Sequence, residues 1–280
     1  MKLTKEEFAN LRRILHELSG IAIGNEKQYL VEQRLRPIVE MYKFRGFSDL
    51  YFKLAHNPDK RLKERVIEAI TTNETFFFRD VHPFESFKKL VFPWLGEELK
   101  QKKERGLSPR TRIWCAASST GQEPYTIAMM VYEYCQITRY NPSEFVISAT
   151  DISGEALAKA LQAEYNNLEI SRGLDQARRN KYFKKKTENS WVLIEPLQHM
   201  VQFRNLNLCQ PFQYLGNYEV IFCRNVLIYF DLPTKKKIID QFYNMLPAGG
   251  WLILGSSESM YGINDKFKTV RNGPTIFYRK

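Results

Sequence analysis

Polar residues with chemistry to offer recur just beyond the apolar runs of this sequence. Ser118 to Glu123 follow residues 112–116, Asp151 follows residues 145–150, and Asn207 and Leu208 follow residues 201–205. Arg224 and Asn225 close the run 219–225. In an open α/β sheet the ends of successive strands form the carboxyl edge, where ligands bind. Any one of these residues reads as readily as a loop cap; together they point to one site. Asp151 is the most informative of them. An acid ending the second strand of a strand–turn–helix–strand unit accepts hydrogen bonds from ribose hydroxyls. The turn before the helix, Ala117-Ser-Ser-Thr-Gly-Gln122, is small and polar, so backbone can approach a ligand closely. It holds a single glycine, Gly121, where a dinucleotide fingerprint has three. That argues against a pyrophosphate on the helix N-terminus and for a smaller adenosine ligand without phosphates.

The elements that must carry these residues follow from pattern. Residues 123–134 read as a helix with Pro124 in its first turn, where a missing N–H costs nothing. Beyond Asp151, Ser153 caps a helix over 154–164. Residues 172–200 then break the rhythm with Arg178, Arg179, Lys181 and the run from Lys184 to Lys186, followed by a strand at 191–194. This is expected to be a small insertion with its own β-hairpin. Strands at 201–205 and 219–225, a helix over 233–246 and a strand at 251–255 resume the alternation. Residues 269–278 read as an antiparallel pair around Asn272 and Gly273. The expected class is therefore α/β over residues 73–280, a doubly wound Rossmann-like sheet.

An all-helical domain is expected over residues 1–72. Thr4 and Glu7 make a capping box before a helix with Phe8, Leu11, Leu15 and Leu18 on one face, ended by Gly20 and Gly24. A second helix, 27–44, is expected to turn Leu30, Val31, Leu35, Ile38 and Met41 inward. Arg34 and Arg36 stand on its other faces. Two shorter helices, 47–56 and 59–71, are parted by Asn57 and Pro58. The domain holds no catalytic-looking cluster; its basic surface reads as a docking face for an acidic partner helix, against the plainer reading of a solvated face. Between the domains runs Thr71-Thr-Asn-Glu-Thr-Phe-Phe-Phe-Arg-Asp80. Three consecutive phenylalanines cannot all face one core. The segment is expected to lie over the ligand, with Asn73, Thr75 and Arg79 addressing it and the rings beneath; a helix over 83–103 follows.

Composition narrows the partners and the compartment. The 280 residues, 44% hydrophobic, suffice for one or two cored domains. No apolar run approaches the roughly 18 residues of a membrane span, and the charged N-terminus is unlike a secretion signal. Cys115, Cys135, Cys209 and Cys223 are scattered with no paired spacing, which reads as free thiols in a reducing cytoplasm. A net charge of +11 implies an anionic partner, with nucleic acid, acidic protein and membrane all qualifying.

Five stretches in order resemble one family: residues 72–79, 116–125, 149–153, 222–230 and 249–258, the last two being Phe-Cys-Arg-Asn-Val-Leu-Ile-Tyr-Phe and Gly-Gly-Trp-Leu-Ile-Leu-Gly-Ser-Ser-Glu. They are similar to the chemotaxis receptor methyltransferases, and the likeness spans nearly the whole chain. The resemblance implies transfer of methyl from S-adenosylmethionine to receptor glutamates, leaving S-adenosylhomocysteine. It implies cofactor contacts at Asn73, Thr75, Arg79, Glu123, Asp151, Asn207, Leu208, Arg224 and Asn225, with Arg79 and Tyr229 orienting the substrate carboxylate. Gln122 departs from the family's double glutamate, and Ser118 sits where the family varies. The implied enzyme is a cytoplasmic monomer using no metal and binding no nucleic acid. Its Arg34 and Arg36 would meet the cytoplasmic helical region of methyl-accepting chemotaxis receptors. Members that tether to a receptor C-terminal pentapeptide carry a glycine-bracketed turn in the hairpin; here residues 185–191 hold none, so tight pentapeptide binding is not expected. A nucleic-acid methyltransferase is the main rival, but Cys223-Arg-Asn-Val226 stands where its Pro-Pro-aromatic motif would be.

Overall fold

Thr4 accepts the Glu7 N–H while the Glu7 carboxylate accepts the Thr4 N–H, and this reciprocal cap starts the first helix, α1 (Lys5–Ser19). The computed structural model describes residues 2–57 and 59–280. Gly20 ends α1 at φ 73°, a left-handed conformation that suits glycine. Helices α2 (Gln28–Met41), α3 (Phe47–His56) and α4 (Lys60–Ile70) complete the N-terminal bundle. Pro58, part of the expected break, lies outside the described residues; Asp59 caps α4 by accepting the Leu62 N–H. Phe8, Leu11, Leu35, Phe47, Leu50 and Val66 pack into a core separate from the rest of the chain. Met41 does not join it. It is 60% exposed, because the buried stripe of α2 runs through Val31, Leu35, Ile38 and Val39, and Tyr42 continues it.

Helix α5 (His82–Ser86) passes through a π-turn at Phe87–Val91 into α6 (Phe92–Glu104). Then come β1 (Thr111–Ala116), α7 (Gln122–Ile137), β2 (Phe145–Asp151) and α8 (Gly154–Gln162). The insertion holds β3 (Glu164–Asn166), α9 (Asn167–Ser171), α10 (Gln176–Tyr182), β4 (Phe183–Lys185) and β5 (Ser190–Leu193). After α11 (Glu195–Gln198) follow β6 (Val201–Asn205), β7 (Val220–Cys223), α12 (Leu232–Met245), β8 (Trp251–Leu254), β9 (Lys268–Asn272) and β10 (Thr275–Arg279).

The main sheet runs β6-β2-β1-β7-β8-β10-β9. Strands β6, β2, β1, β7 and β8 are parallel, and β10 pairs antiparallel with β8 and β9. One apolar layer, built on Phe87, Leu95, Ile127 and Met129, covers one face; a second, built on Ile238, Phe242 and Phe212, covers the other. Both faces being covered explains why β1 and β7 read as unbroken apolar runs. The small sheet, β3-β5-β4, has three strands where a hairpin was expected, because β3 recruits Glu164 to Asn166 ahead of the insertion as first bounded.

The three phenylalanines do not all face one core: Phe77 and Phe78 are buried in it, the chain being left-handed at Phe78 (φ 50°). Phe76 alone stays half-buried, between the guanidinium groups of Arg172, 4.3 Å from its ring centroid, and Arg79, 5.5 Å away. The hairpin turn after β4 contains no left-handed residue from 186 to 189, so it forms without glycine.

The two domains are stitched together by named contacts. Asn207 Nδ2 donates to the Leu18 carbonyl (2.8 Å), and His16 Nε2 lies 3.1 Å from the Asp231 carboxylate. Glu68 accepts the Glu155 N–H and the Ser153 hydroxyl. Ile21 bridges Phe230, and the Ala22 N–H donates to the Tyr229 carbonyl (2.8 Å).

Candidate cofactor and substrate cleft

The turn after β1 reverses through three left-handed residues, Ala117 (φ 62°), Ser119 (φ 50°) and Gly121 (φ 94°). Glycine count therefore understated how contorted this loop is; two small side chains adopt the conformation at a cost of roughly 1–2 kcal/mol each. Gly121 is different, since a Cβ there would lie 2.9 Å from Ala160 Cβ and 3.0 Å from the Tyr165 hydroxyl. The contortion aims the Ser119 N–H at Asp151 Oδ2 (2.7 Å), while the Ser153 N–H reaches Oδ1 (2.9 Å). Burial pushes the Asp151 carboxyl above its ordinary range, opposed by these two N–H groups. A carboxylate offers about four acceptor positions, so Asp151 keeps acceptor capacity for a ligand.

Asp151 lines a cleft of about 970 Å³, partly open to solvent, at the carboxyl edge of the sheet. Its walls bring together every expected cofactor residue, Asn73, Thr75, Arg79, Glu123, Asp151, Asn207, Leu208, Arg224 and Asn225, and Tyr229 with them. Their surroundings divide them. Asn207 spends its side chain within the protein, donating to Leu18 and accepting the Cys209 N–H (3.0 Å). Asn73 accepts the Ser119 hydroxyl on its carbonyl (2.9 Å), tying the inter-domain segment to the turn. Arg79 donates to the Glu74 carbonyl (2.8 Å) and remains partly exposed. Tyr229 is half-buried on the loop after β7.

Arg224 is the electrostatic centre. Its side chain is 1% exposed, with Nη1 2.9 Å from Glu123 and Nη2 2.9 Å from Asp80 and 2.8 Å from the Arg79 carbonyl. Phe84 packs its ring 5.1 Å from the guanidinium. Burial pushes Glu123 above its ordinary value, and Arg224 opposes that shift. Asp80 went unnoticed in the sequence, although it follows the singled-out Arg79 directly. So did Glu258, the last residue of the stretch 249–258. Ser118 is 2% exposed, and its hydroxyl has no hydrogen-bond partner among the described residues.

The two docking candidates differ in their surroundings. Arg34 turns inward and donates to the carbonyls of Ile70 (2.7 Å) and Thr71 (3.1 Å) and to the Thr72 hydroxyl (3.2 Å). It clamps the end of α4 and the segment that leads to the cleft, because those carbonyls have no further helical turn to bond. Arg36 pairs with Glu32 one turn earlier and stands beside Tyr29, Gln33 and Glu40 on the outer face of α2. All four cysteines are free thiols. No described helix is long and apolar enough to cross a membrane.

A doubly wound sheet with an acid ending β2, a contorted small-residue turn facing it and a cleft along the carboxyl edge defines a nucleoside-cofactor-binding α/β domain. The family model described as CheR methyltransferase, SAM binding domain, matches residues 73–276, and that described as CheR methyltransferase, all-alpha domain, matches residues 6–71. The chain belongs to the CheR methyltransferase family, whose members use S-adenosylmethionine. A chemotaxis protein methyltransferase of Vibrio anguillarum is 37% identical over 277 residues, covering 99% of this chain and 98% of its own. Chemotaxis protein methyltransferase Cher2 of Pseudomonas putida is 38% identical over 277 residues, covering 98% and 97%. Chemotaxis protein methyltransferase 1 of Pseudomonas aeruginosa is 37% identical over 280 residues, covering 100% and 99%.

Proposed function

We propose that this enzyme esterifies glutamate side chains of chemoreceptors and that the cleft between its domains is where cofactor and glutamate meet. The observation that carries the reading is the convergence of Asp151, Glu123, Arg79 and Tyr229 on one cleft in a chain that both family domains match. S-adenosylmethionine supplies an electrophilic methyl group on a sulfonium. The donor set fits it: Asp151 keeps acceptor capacity for ribose hydroxyls, and Glu123 offers a carboxylate to an ammonium.

A glutamate side chain, with a pKa near ~4.3, is already ionised at neutral pH, so no residue need act as a general base. What the protein supplies is alignment and water exclusion. Arg79 and Tyr229 orient the substrate carboxylate, and residues 72–79 roof the cleft. A grip too tight on the carboxylate would stabilise the reactant and slow transfer, which favours orientation over strong ion pairing. Arg36 on the outer face of α2 meets the acidic receptor helix. We further propose a cytoplasmic monomer that uses no metal and binds no nucleic acid.

Transfer of tritiated methyl from the cofactor to receptor-rich membranes tests the function. Base-labile counts in receptor protein support it; counts in RNA, or none, reject it.

The buried, unpartnered Ser118 hydroxyl gives a sharper test of the cofactor's seat. Ser118→Ala removes a group whose unsatisfied burial costs about 1–3 kcal/mol, so the free protein should be as stable or more so. Cofactor affinity should fall roughly 3- to 10-fold with the lost hydrogen bond. Thermal unfolding and calorimetry read the two effects; unchanged affinity would remove Ser118 from the site.

Tight binding of the receptor-tail pentapeptide is not part of the proposal. Both edges of the small sheet, β3 and β4, are three residues long, which gives an added strand little ladder to pair with. Titration of the purified protein with that peptide should show no saturable binding. A dissociation constant in the low micromolar range would overturn this.

A further inference from the structure

The loop from Asn225 to Phe230 carries much of the site; its C-terminal half is held by a 3-10 turn at Leu227–Tyr229 and by pairing with residues 21 and 22, its start by another group. It brings Asn225, Val226, Tyr229 and Phe230 to the cleft. Asn225 sits at φ 59°, the left-handed region that asparagine enters more readily than most non-glycine residues. The loop after β8 fixes it there. Glu258 Oε2 accepts the Asn225 N–H and the Gly255 N–H, each at 2.7 Å, and Oε1 accepts the Ile228 N–H at 3.4 Å. One carboxylate thus pins the ends of β7 and β8 together. Gly255 makes the approach possible, since a Cβ there would lie 2.7 Å from Glu258 Oε2 and 2.8 Å from the Asn225 nitrogen.

Glu258 has no ion pair among the salt bridges of the described residues, and it does not line the cleft. Its two oxygens are spent on backbone N–H groups, which a carboxylate binds about twice as strongly as a neutral acceptor does. We propose that Glu258 is a positioning residue for methyl transfer: it holds the Asn225–Phe230 loop so that Tyr229 and Asn225 face the cleft. This rests on the reading above in which Tyr229 orients the substrate carboxylate.

The test is kinetic and uses the full chain with receptor-containing membranes. Glu258→Ala should lower kcat about tenfold, with KM for receptor changed by less than about threefold. Glu258→Gln should recover most of that loss, because its carbonyl oxygen still accepts the two close N–H groups. Combining Glu258→Ala with Tyr229→Phe should give little more loss than the worse single variant, since both act through one hydroxyl. Full additivity, or an unchanged kcat for Glu258→Ala, overturns the proposal. Should Tyr229→Phe alone be silent, the reading of Tyr229 fails, and Glu258 is judged by cofactor affinity, which depends on Asn225. There a loss of about fivefold in Glu258→Ala, restored in Glu258→Gln, supports the pinning role; unchanged affinity ends it. If Glu258→Ala does not fold, Glu258→Asp, which withdraws the carboxylate by one methylene, is read against the same outcomes.

Discussion

Arg224→Met is expected to destabilise the protein by about 3–5 kcal/mol at neutral pH, the cost of leaving a buried charge without its partner. The orphaned group is Glu123; Asp80, being partly exposed, keeps its water. The pH dependence follows from the direction of the Glu123 shift. Burial already holds Glu123 above its ordinary 4.5, and removing Arg224 raises it further. Above pH 4.5 the folded variant then binds a proton that the unfolded chain has released, so stability falls as pH rises through that window. Urea unfolding at about pH 5 and about pH 8 should show a larger deficit at the higher pH. Adding Glu123→Gln should restore most of the loss. A deficit that is flat with pH, or a double variant no better than the single one, would mean that Arg224 stabilises through packing on Phe84 instead.

Asp151→Ala is expected to weaken cofactor binding by roughly 1.5–3 kcal/mol, about 10- to 150-fold. Two effects add. The ribose hydroxyls lose a charged acceptor, and the Ser119 and Ser153 N–H groups lose the oxygen that holds the turn against β2. Asp151→Asn keeps an acceptor for one of those N–H groups and should fall between the variant and the parent. Calorimetry with S-adenosylhomocysteine measures all three proteins. Equal affinities would move the ribose elsewhere in the cleft.

What was legible in the sequence was set by local rules. The capping box of α1, the alternation of apolar runs and helices, and the acid after β2 each depend on residues close in the chain, and each is where pattern places it. The cleft-lining residues were legible because strand ends share an edge in this topology. What escaped depends on distance or on backbone sign. Nothing near Arg34 announces that its partners are carbonyls at 70 and 71. Glu258 reaches back 33 positions to Asn225. Periodicity mistook Met41 for core by one position, and composition read Ala117 and Ser119 as ordinary turn residues. Which of the three phenylalanines stays outside the core was not legible, because it depends on the left-handed backbone at Phe78.

The pairing of residues 21 and 22 with residues 229 and 230 is made by main chain, the Ala22 N–H on the Tyr229 carbonyl. It is therefore blind to side-chain identity. Inserting or deleting one residue between Gly20 and Gly24 shifts the register and exchanges the faces the two residues present. Chain length in this segment, more than its lettering, is what an exchange of N-terminal domains between relatives must preserve.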